Sequence, residues 1–321
     1  MSKATYICMN DVQEESIDWL WYPYIAFGKL TIIQGDPGEG KTTLILNIAA
    51  KLSKGEFLEE NENINEPINV IYQTAEDGLA DTIKPRLVKA GADCKRIFVI
   101  DESEKLLSMD DERLEEAINT HRARLLVLDP LQAYLGGSVD MHRANEVREM
   151  TRKIKAVAER TRCAVVLIGH MNKALTAKAT YRGLGSIDLF AAVRSVLLVG
   201  KIHDEENLKG MVQIKSNNGP VSKAKAFKIT DNGFEWKGDY NITAEEIALG
   251  FRNENKVERA KQLLRDLAKN NSSIKSDDAV LLAKSHGISK RTLQEAQKEI
   301  GVKAKRKGNA WYLDFANIAV D

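Results

Sequence analysis

Apolar and polar positions follow two different rhythms along this chain, and the change between them falls near residue 193. From residue 28 to about 200, short runs rich in Val, Ile and Leu are separated by longer stretches with helical spacing. The runs at 30–34, 69–73, 97–100, 125–129 and 164–169 are nearly apolar throughout, as strands buried on both faces of a parallel sheet are. Between them, 42–52, 79–89, 110–121 and 143–160 read as helices. The alternation predicts an α/β fold, a mostly parallel sheet with helices on both faces. Beyond 193, the segments 193–199, 211–215, 226–229 and 234–236 read as strands with no helix between them. That predicts an antiparallel extension on the sheet's edge.

The rhythm changes again at the C-terminal end. Residues 255–269, 276–286 and 289–300 have helical spacing, and 302–306 and 310–315 read as a hairpin turning at Lys307-Gly308-Asn309. Ser289 is placed to cap the third helix, and His286-Gly287 to turn the chain before it. The predicted organisation is a lead-in over 1–27, a large domain over 28–238, a linker over 239–253 and a small domain over 254–321.

Composition changes this picture in one place. Apolar content of 43%, charged content of 29% and a net charge of +1 describe an ordinary globular protein. The charge is unevenly spread, however. Residues 254–321 hold 14 Lys/Arg against 9 Asp/Glu, so any basic surface belongs to the small domain. Cys8, Cys94 and Cys163 are far apart, which argues against a disulfide framework or a zinc site. The first 18 residues lack the order of a signal peptide, and no apolar run reaches membrane-span length. A cytoplasmic protein with no membrane partner is expected.

Chemistry enters at Gly35-Asp36-Pro37-Gly38-Glu39-Gly40-Lys41-Thr42, which fits G-x-x-x-x-G-K-[ST] between a β-branched strand and a helix starting Thr43-Leu44. Glycines let backbone N–H groups close around a phosphate chain, and the helix N-terminus adds partial positive charge. Residues 35–43 therefore read as the binding loop for ATP, with Lys41 reaching the β- and γ-phosphates and Thr42 offering its hydroxyl to Mg²⁺. Asp129, at the end of an apolar strand, reads as the second Mg²⁺ element. Glu76 and Asp77 end another strand, and ligands sit beyond the carboxyl ends of such strands. Both could merely cap the next helix; the reading adopted has Glu76 activating water and Asp77 capping. His170 ends a further strand, either as a sensor of the γ-phosphate or as a structural histidine. The polar stretch 171–185, with Lys173, Lys178 and Arg182, reads as a DNA-contacting or plainly mobile loop. The connection 130–141, with Tyr134 and Gly136-Gly137, allows the same two readings.

The order of phosphate loop, Thr-Ala-Glu-Asp strand, Leu-Leu-Val-Leu-Asp-Pro strand and Ile-Gly-His strand resembles the RecA-like ATPases. It is most similar to the RepA and DnaB-like hexameric helicase group of plasmids, phages and mobile elements. Trp19-Leu20-Trp21-Tyr22-Pro23 is similar to the lead-in of RepA-type ATPases, placed either to dock on a neighbouring subunit or to cover the sheet's edge. Lys215-Ser216-Asn217-Asn218-Gly219-Pro220 is similar to the Lys-x-Arg-Asn-Gly-Pro element of DnaB-type helicases. The resemblance implies a homo-oligomeric ring or filament, a hexamer foremost, with ATP held between subunits and Lys215 reaching the neighbour's γ-phosphate. Asn217 stands where that element has arginine, so Lys215, Arg194 or Arg182 would supply the charge.

The small domain resembles a winged helix. That resemblance implies a recognition helix beginning at Lys290 and Arg291 and a cationic wing with Lys305, Arg306 and Lys307, against the alternative of a protein-contact module. Taken together, the expectation is an ATP-hydrolysing DNA motor in replication of a mobile element, acting on single-stranded DNA and on duplex through the small domain. The alternatives are an ATP-gated initiator, helicase loader or regulator, and a recombinase-like filament.

Overall fold

The computed structural model describes residues 6–56, 58, 66–135, 144–170, 187–202, 207–231, 233–249, 256–285, 288–308 and 310–315. The chain divides into two compact units, Met1–Gly250 and Phe251–Asp321.

In the first unit, a small hairpin of β1 (Trp19–Trp21) and β2 (Ile25–Ala26) leads into β3 (Leu30–Gly35) and helix α1 (Lys41–Ser53). Then come β4 (Asn69–Thr74), a π-helical turn at Leu79–Ile83 running into α2 (Lys84–Lys89), β5 (Ile97–Phe98), α3 (Glu112–His121) and β6 (Ala123–Asp129). They are followed by α4 (Ala144–Thr161), β7 (Ala164–His170), α5 (Ile187–Ala192), β8 (Ser195–Lys201), β9 (Leu208–Ser216), β10 (Lys225–Thr230), β11 (Gly233–Asp239) and α6 (Ala244–Leu249). The strands form one nine-stranded sheet in the order β11-β10-β9-β8-β3-β7-β6-β4-β5.

Alternation along each central strand explains why this sheet is covered on both sides. In β3, Ile33 joins a core with Leu44, Ile45 and Ile48 of α1, while Ile32 joins the opposite core with Val147 and Ile154 of α4. Leu125 to Leu128 of β6 are all fully buried, two to each face. Each such side chain contributes about 1.5–3 kcal/mol on burial. The α/β class and the mostly parallel sheet expected from the apolar runs are what the chain forms.

Three local expectations change. Strand β8 lies parallel to β3, so the parallel block has six strands and the antiparallel part begins only at β9. The reason is α5, a helix within the β7-to-β8 connection that the sequence reading missed. Strand β5 stops at Phe98 because the buried Gln73 side chain engages the backbone beyond it. Ile100 N–H donates to Gln73 Oε1 (2.6 Å), and Gln73 Nε2 donates to Ile100 O (3.1 Å). Residues 240–249, read as part of a linker, carry α6. Ile242 and Ile247 are buried against Leu198, Ile202 and Leu208, so this segment completes the first unit's core.

The aromatic lead-in is also core. Trp21 and Tyr24 are buried, Trp21 packs edge-on to Trp236 at 5.6 Å, and Tyr24 Oη donates to Lys223 O at 3.0 Å. Covering the protein's own sheet, one of its two expected roles, is what Trp21 and Tyr24 do. Tyr134, expected on a DNA-facing or plainly mobile loop, is instead buried in the α4-side core with its hydroxyl 3.4 Å from Glu102. A phenol this large gains more from burial than from exposure when its hydroxyl finds a partner.

The second unit comprises α7 (Lys256–Asn270), β12 (Ser273–Lys275), α8 (Ser276–Ser285), α9 (Lys290–Glu299), β13 (Lys303–Lys307) and β14 (Ala310–Asp314). Its sheet order is β12-β14-β13, and its core gathers Leu264, Ala283, Leu293, Leu313 and Phe315. Ser289 Oγ accepts from Thr292 N–H (3.2 Å) and caps α9. Among the described residues, no helix is long and apolar enough to cross a membrane.

Candidate active site

The carboxyl ends of β3, β7, β6 and β4 lie side by side, and the turn between β3 and α1 sits over them. Two glycines make that turn possible. Gly40 has φ +89°, a left-handed conformation that lets α1 begin at Lys41. A Cβ on Gly35 would lie 2.1 Å from Val199 O, so only glycine lets β8 pass this close.

Lys41 is buried, and its ammonium donates to Gly35 O and Asp36 O, each at 2.9 Å. Burial lowers its pKa, opposed by the charges of Asp129, Asp36, Glu39 and Glu76. Thr42 Oγ1 donates to Asp129 Oδ2 (2.8 Å), and Tyr72 Oη donates to the same oxygen (2.7 Å). Burial raises the pKa of Asp129, while these two hydrogen bonds and Lys41 pull it down. Tyr72 itself is held well above its ordinary range by burial and by the Asp129 charge, so it stays a donor.

Glu76 follows β4, tethered through Ala75 N–H to Asp129 O (3.1 Å). Its carboxylate is well exposed and lies 3.8 Å from His170 Nε2. His170 Nδ1 is buried without a hydrogen-bond partner among the described residues. Asp77 does not cap the following helix. Its carboxylate pairs with Arg86 at 3.0 Å, and Gly78 occupies the cap position. Glu39 and Thr43 complete the loop and first turn; Glu39 is held by Lys209 (3.1 Å) and Lys201 (3.8 Å), and Thr43 O accepts from Asn47 (2.8 Å).

Five predicted site residues thus converge: Lys41, Thr42, Glu76, Asp129 and His170. Lys215 does not join them. Strand β9 runs antiparallel to β8, with Lys215 opposite Val196 and Lys209 opposite Lys201, so Lys215 lies toward the amino end of β3. With a rise of about 3.3 Å per residue, that is on the order of 10 Å or more from the phosphate loop along the strands. There Lys215 Nζ donates to Phe190 O (2.6 Å) and Ala191 O (3.2 Å) at the end of α5. Arg194 is its neighbour: Asn217 N–H donates to Arg194 O (2.9 Å), and burial and the Arg194 charge both lower the Lys215 pKa.

The second unit carries the other cations. Lys290 and Arg291 open α9 and are exposed, as is all of β13 with Lys305, Arg306 and Lys307. Lys305 pairs with Asp314, and Lys307 lies over the Tyr312 ring at 5.5 Å. Lys173, Lys178, Arg182, Gly136-Gly137 and His286-Gly287 lie outside the described residues.

Sequence reasoning missed Tyr72 and the two lysines on Glu39. Tyr72 reads as one more core residue in an apolar strand; the available signal was that a buried phenol needs a partner. The arrangement fits Mg²⁺ and a nucleotide. Thr42 and Asp129 present hard oxygens 2.8 Å apart. Among the described residues no group of three or more His, Cys, Asp or Glu could hold a metal.

The family model described as AAA domain matches residues 9–175. The DNA repair protein RadA of Halalkalibacterium halodurans is 28% identical over 151 residues, covering 46% of this chain and 29% of that protein. RadA of Mycobacterium tuberculosis is 22% identical over 218 residues, covering 66% and 40%. The chain thus spans well under half the length of these curated relatives. Among solved structures, the KaiC-like protein PH0186 of Pyrococcus horikoshii aligns with TM-score 0.49 and 17% identity over 68% of this chain and 95% of that one. With its phosphate loop, its Thr42–Asp129 pair and a family match over more than half of its length, the chain belongs to the AAA domain family and is a P-loop ATPase.

Proposed function

We propose that this ATPase is a DNA-dependent motor that works as a homo-oligomer, each ATP held between two subunits. The observation that carries this reading is the separation within one chain. Lys41, Thr42, Asp129, Glu76 and His170 share one end of the sheet, while Lys215 and Arg194 sit toward the other. In this reading the cations placed there serve a phosphate on a neighbouring copy, the arrangement implied by the RepA/DnaB-like resemblance. Asn217 leaves Lys215 and Arg194 as the trans charge.

In this reading the loop 35–43 cradles the triphosphate, Lys41 leaves the Gly35 and Asp36 carbonyls for the β- and γ-phosphates, and Thr42 and Asp129 hold Mg²⁺. The bound ion would neutralise charge on the phosphates. Tyr72 keeps Asp129 oriented. Glu76 takes a proton from the attacking water, and His170, 3.8 Å away, senses the change and passes it to the segment that follows. DNA would be held by Lys173, Lys178 and Arg182. The second unit is read as a winged helix, its helix–strand–helix–helix–hairpin order supporting that reading, with Lys290, Arg291, Lys305, Arg306 and Lys307 toward duplex DNA.

Within DNA metabolism, two roles compete. The motif resemblance favours a replicative helicase of a mobile element. The relatives that are called DNA repair proteins favour recombination or repair. The deciding experiment measures ATP turnover with and without single-stranded DNA, the particle mass in ATP, and strand displacement on forked DNA. We expect DNA-stimulated turnover by an oligomer, abolished by Glu76→Gln. Turnover indifferent to DNA, or a monomer in ATP, sinks the reading; stimulated turnover without unwinding selects recombination, repair or loading.

A further inference from the structure

Glu39 is an odd residue to find inside a phosphate loop, because a carboxylate there repels the triphosphate the loop would bind. It lies between Gly38 (φ +78°) and Gly40 (φ +89°), and its N–H donates to Asp36 O at 3.3 Å. Its side chain is only 14% exposed, and it is met by Lys209 of β9, itself 10% exposed, at 3.1 Å. Lys201, at the end of β8 and directly opposite Lys209 in the sheet, approaches the same carboxylate at 3.8 Å. The contact joins positions 170 residues apart. An ion pair this covered is not one of the solvated surface pairs that contribute little. Removing one partner leaves a charge in poorly solvated surroundings.

The next strand, β10, comes close to the same loop. A Cβ on Gly40 would lie 2.6 Å from Ile229 Cδ1 of β10. The loop is therefore approached from this side of the sheet twice, by Ile229 close over Gly40 and by charge at Glu39. Both positions flank or supply backbone N–H groups of the phosphate cradle, whose orientation decides how well it meets an anion.

We infer that Glu39, Lys209 and Lys201 form a clamp through which strands β8 and β9 set the shape and charge of the phosphate loop, with Lys209 as its positioning residue. The inference rests on the reading of residues 35–43 as a nucleotide loop. Lys209 neutralises Glu39 and fixes its peptide; it does not touch the phosphates. Strands β8 and β9 then belong to the nucleotide site, and β9 carries Lys209 at one end and Lys215 at the other.

The test uses the full chain, Mg²⁺ and a fluorescent N-methylanthraniloyl-ADP probe. Lys209→Met should raise the Kd on the order of ten- to a hundredfold, the size expected for unit charges several ångströms apart at an effective dielectric constant of about 20. In turnover the loss should fall on KM and leave kcat nearly alone. The double variant Glu39→Gln with Lys209→Met should recover most of the lost affinity, since the uncompensated charge is gone. Wild-type affinity in Lys209→Met overturns the clamp. So does a double variant as weak as Lys209→Met alone, which would mean that Lys209 acts on phosphate directly. If Lys209→Met does not fold, Lys209→Arg and Lys201→Met carry the test: near-normal affinity in the first and a smaller loss in the second support the clamp, and the reverse order overturns it. A wild-type chain that binds no probe overturns the nucleotide reading itself, and this inference with it.

Discussion

At the scale of single residues, Asp129, proposed to hold Mg²⁺, shows how the fold tunes a carboxylate. It is nearly buried, and burial raises its pKa, while hydrogen bonds from Tyr72 and Thr42 lower it. Only the carboxylate form serves a cation, so activity falls as pH drops through that pKa. Tyr72→Phe removes one of the opposing hydrogen bonds, so the pKa rises further and less carboxylate survives at a given acidic pH. The acid limb of kcat/KM against pH should therefore move to higher pH in Tyr72→Phe, with the alkaline side unchanged. A limb that stays in place or moves down would show that the phenol does not govern Asp129. The place of Asp129 beside the phosphate loop was legible because an apolar strand ends in it. Tyr72 was not, because an aromatic within an apolar run looks the same whether its hydroxyl is idle or donating.

Among elements, α6 and α5 matter most, and neither was read from the pattern. Helix α6 is short, and its exposed face follows an irregular stretch, so periodicity could not separate it from a connector. Its place is fixed by Ile242 and Ile247 against the far side of β8 and β9. Ile247→Ala should therefore cost about 2–5 kcal/mol of stability, as deletions in a packed core do. Urea unfolding of the full chain, followed by the fluorescence of the first unit's tryptophans, measures it. A change under about 0.5 kcal/mol, typical of a surface site, would return the segment to linker status. Helix α5 explains the partners of Lys215. The last carbonyls of a helix attract cations, and Phe190 O and Ala191 O take the ammonium.

For the whole molecule, the division of charges between the two ends of the sheet makes a prediction about mixtures. If sites are shared, a Lys215→Ala subunit keeps its own catalytic end and a Glu76→Gln subunit keeps its own trans cation. Each variant alone should be nearly inactive, with Glu76→Gln reduced on the order of a hundredfold or more. Mixed and allowed to exchange, they should regain turnover, because Lys215 of one faces the intact site of the other. Turnover that stays at the level of the weaker variant at every mixing ratio would place the whole active site within one chain.

The sequence by itself determined the layered α/β class, the phosphate loop and the acids at strand ends. These are local signals: a buried strand must be apolar on both faces, and a cradle for phosphate needs glycines at fixed spacing before a helix. What only the tertiary structure decided are the contacts that join distant stretches of chain. Gln73 cuts β5 short, β8 turns parallel beside β3, Lys209 reaches Glu39, and Lys215 is carried away from its own phosphate loop. Each depends on which strand lies beside which and in what direction. Strand order and direction are settled by packing across the whole sheet, and no run of neighbouring residues records them.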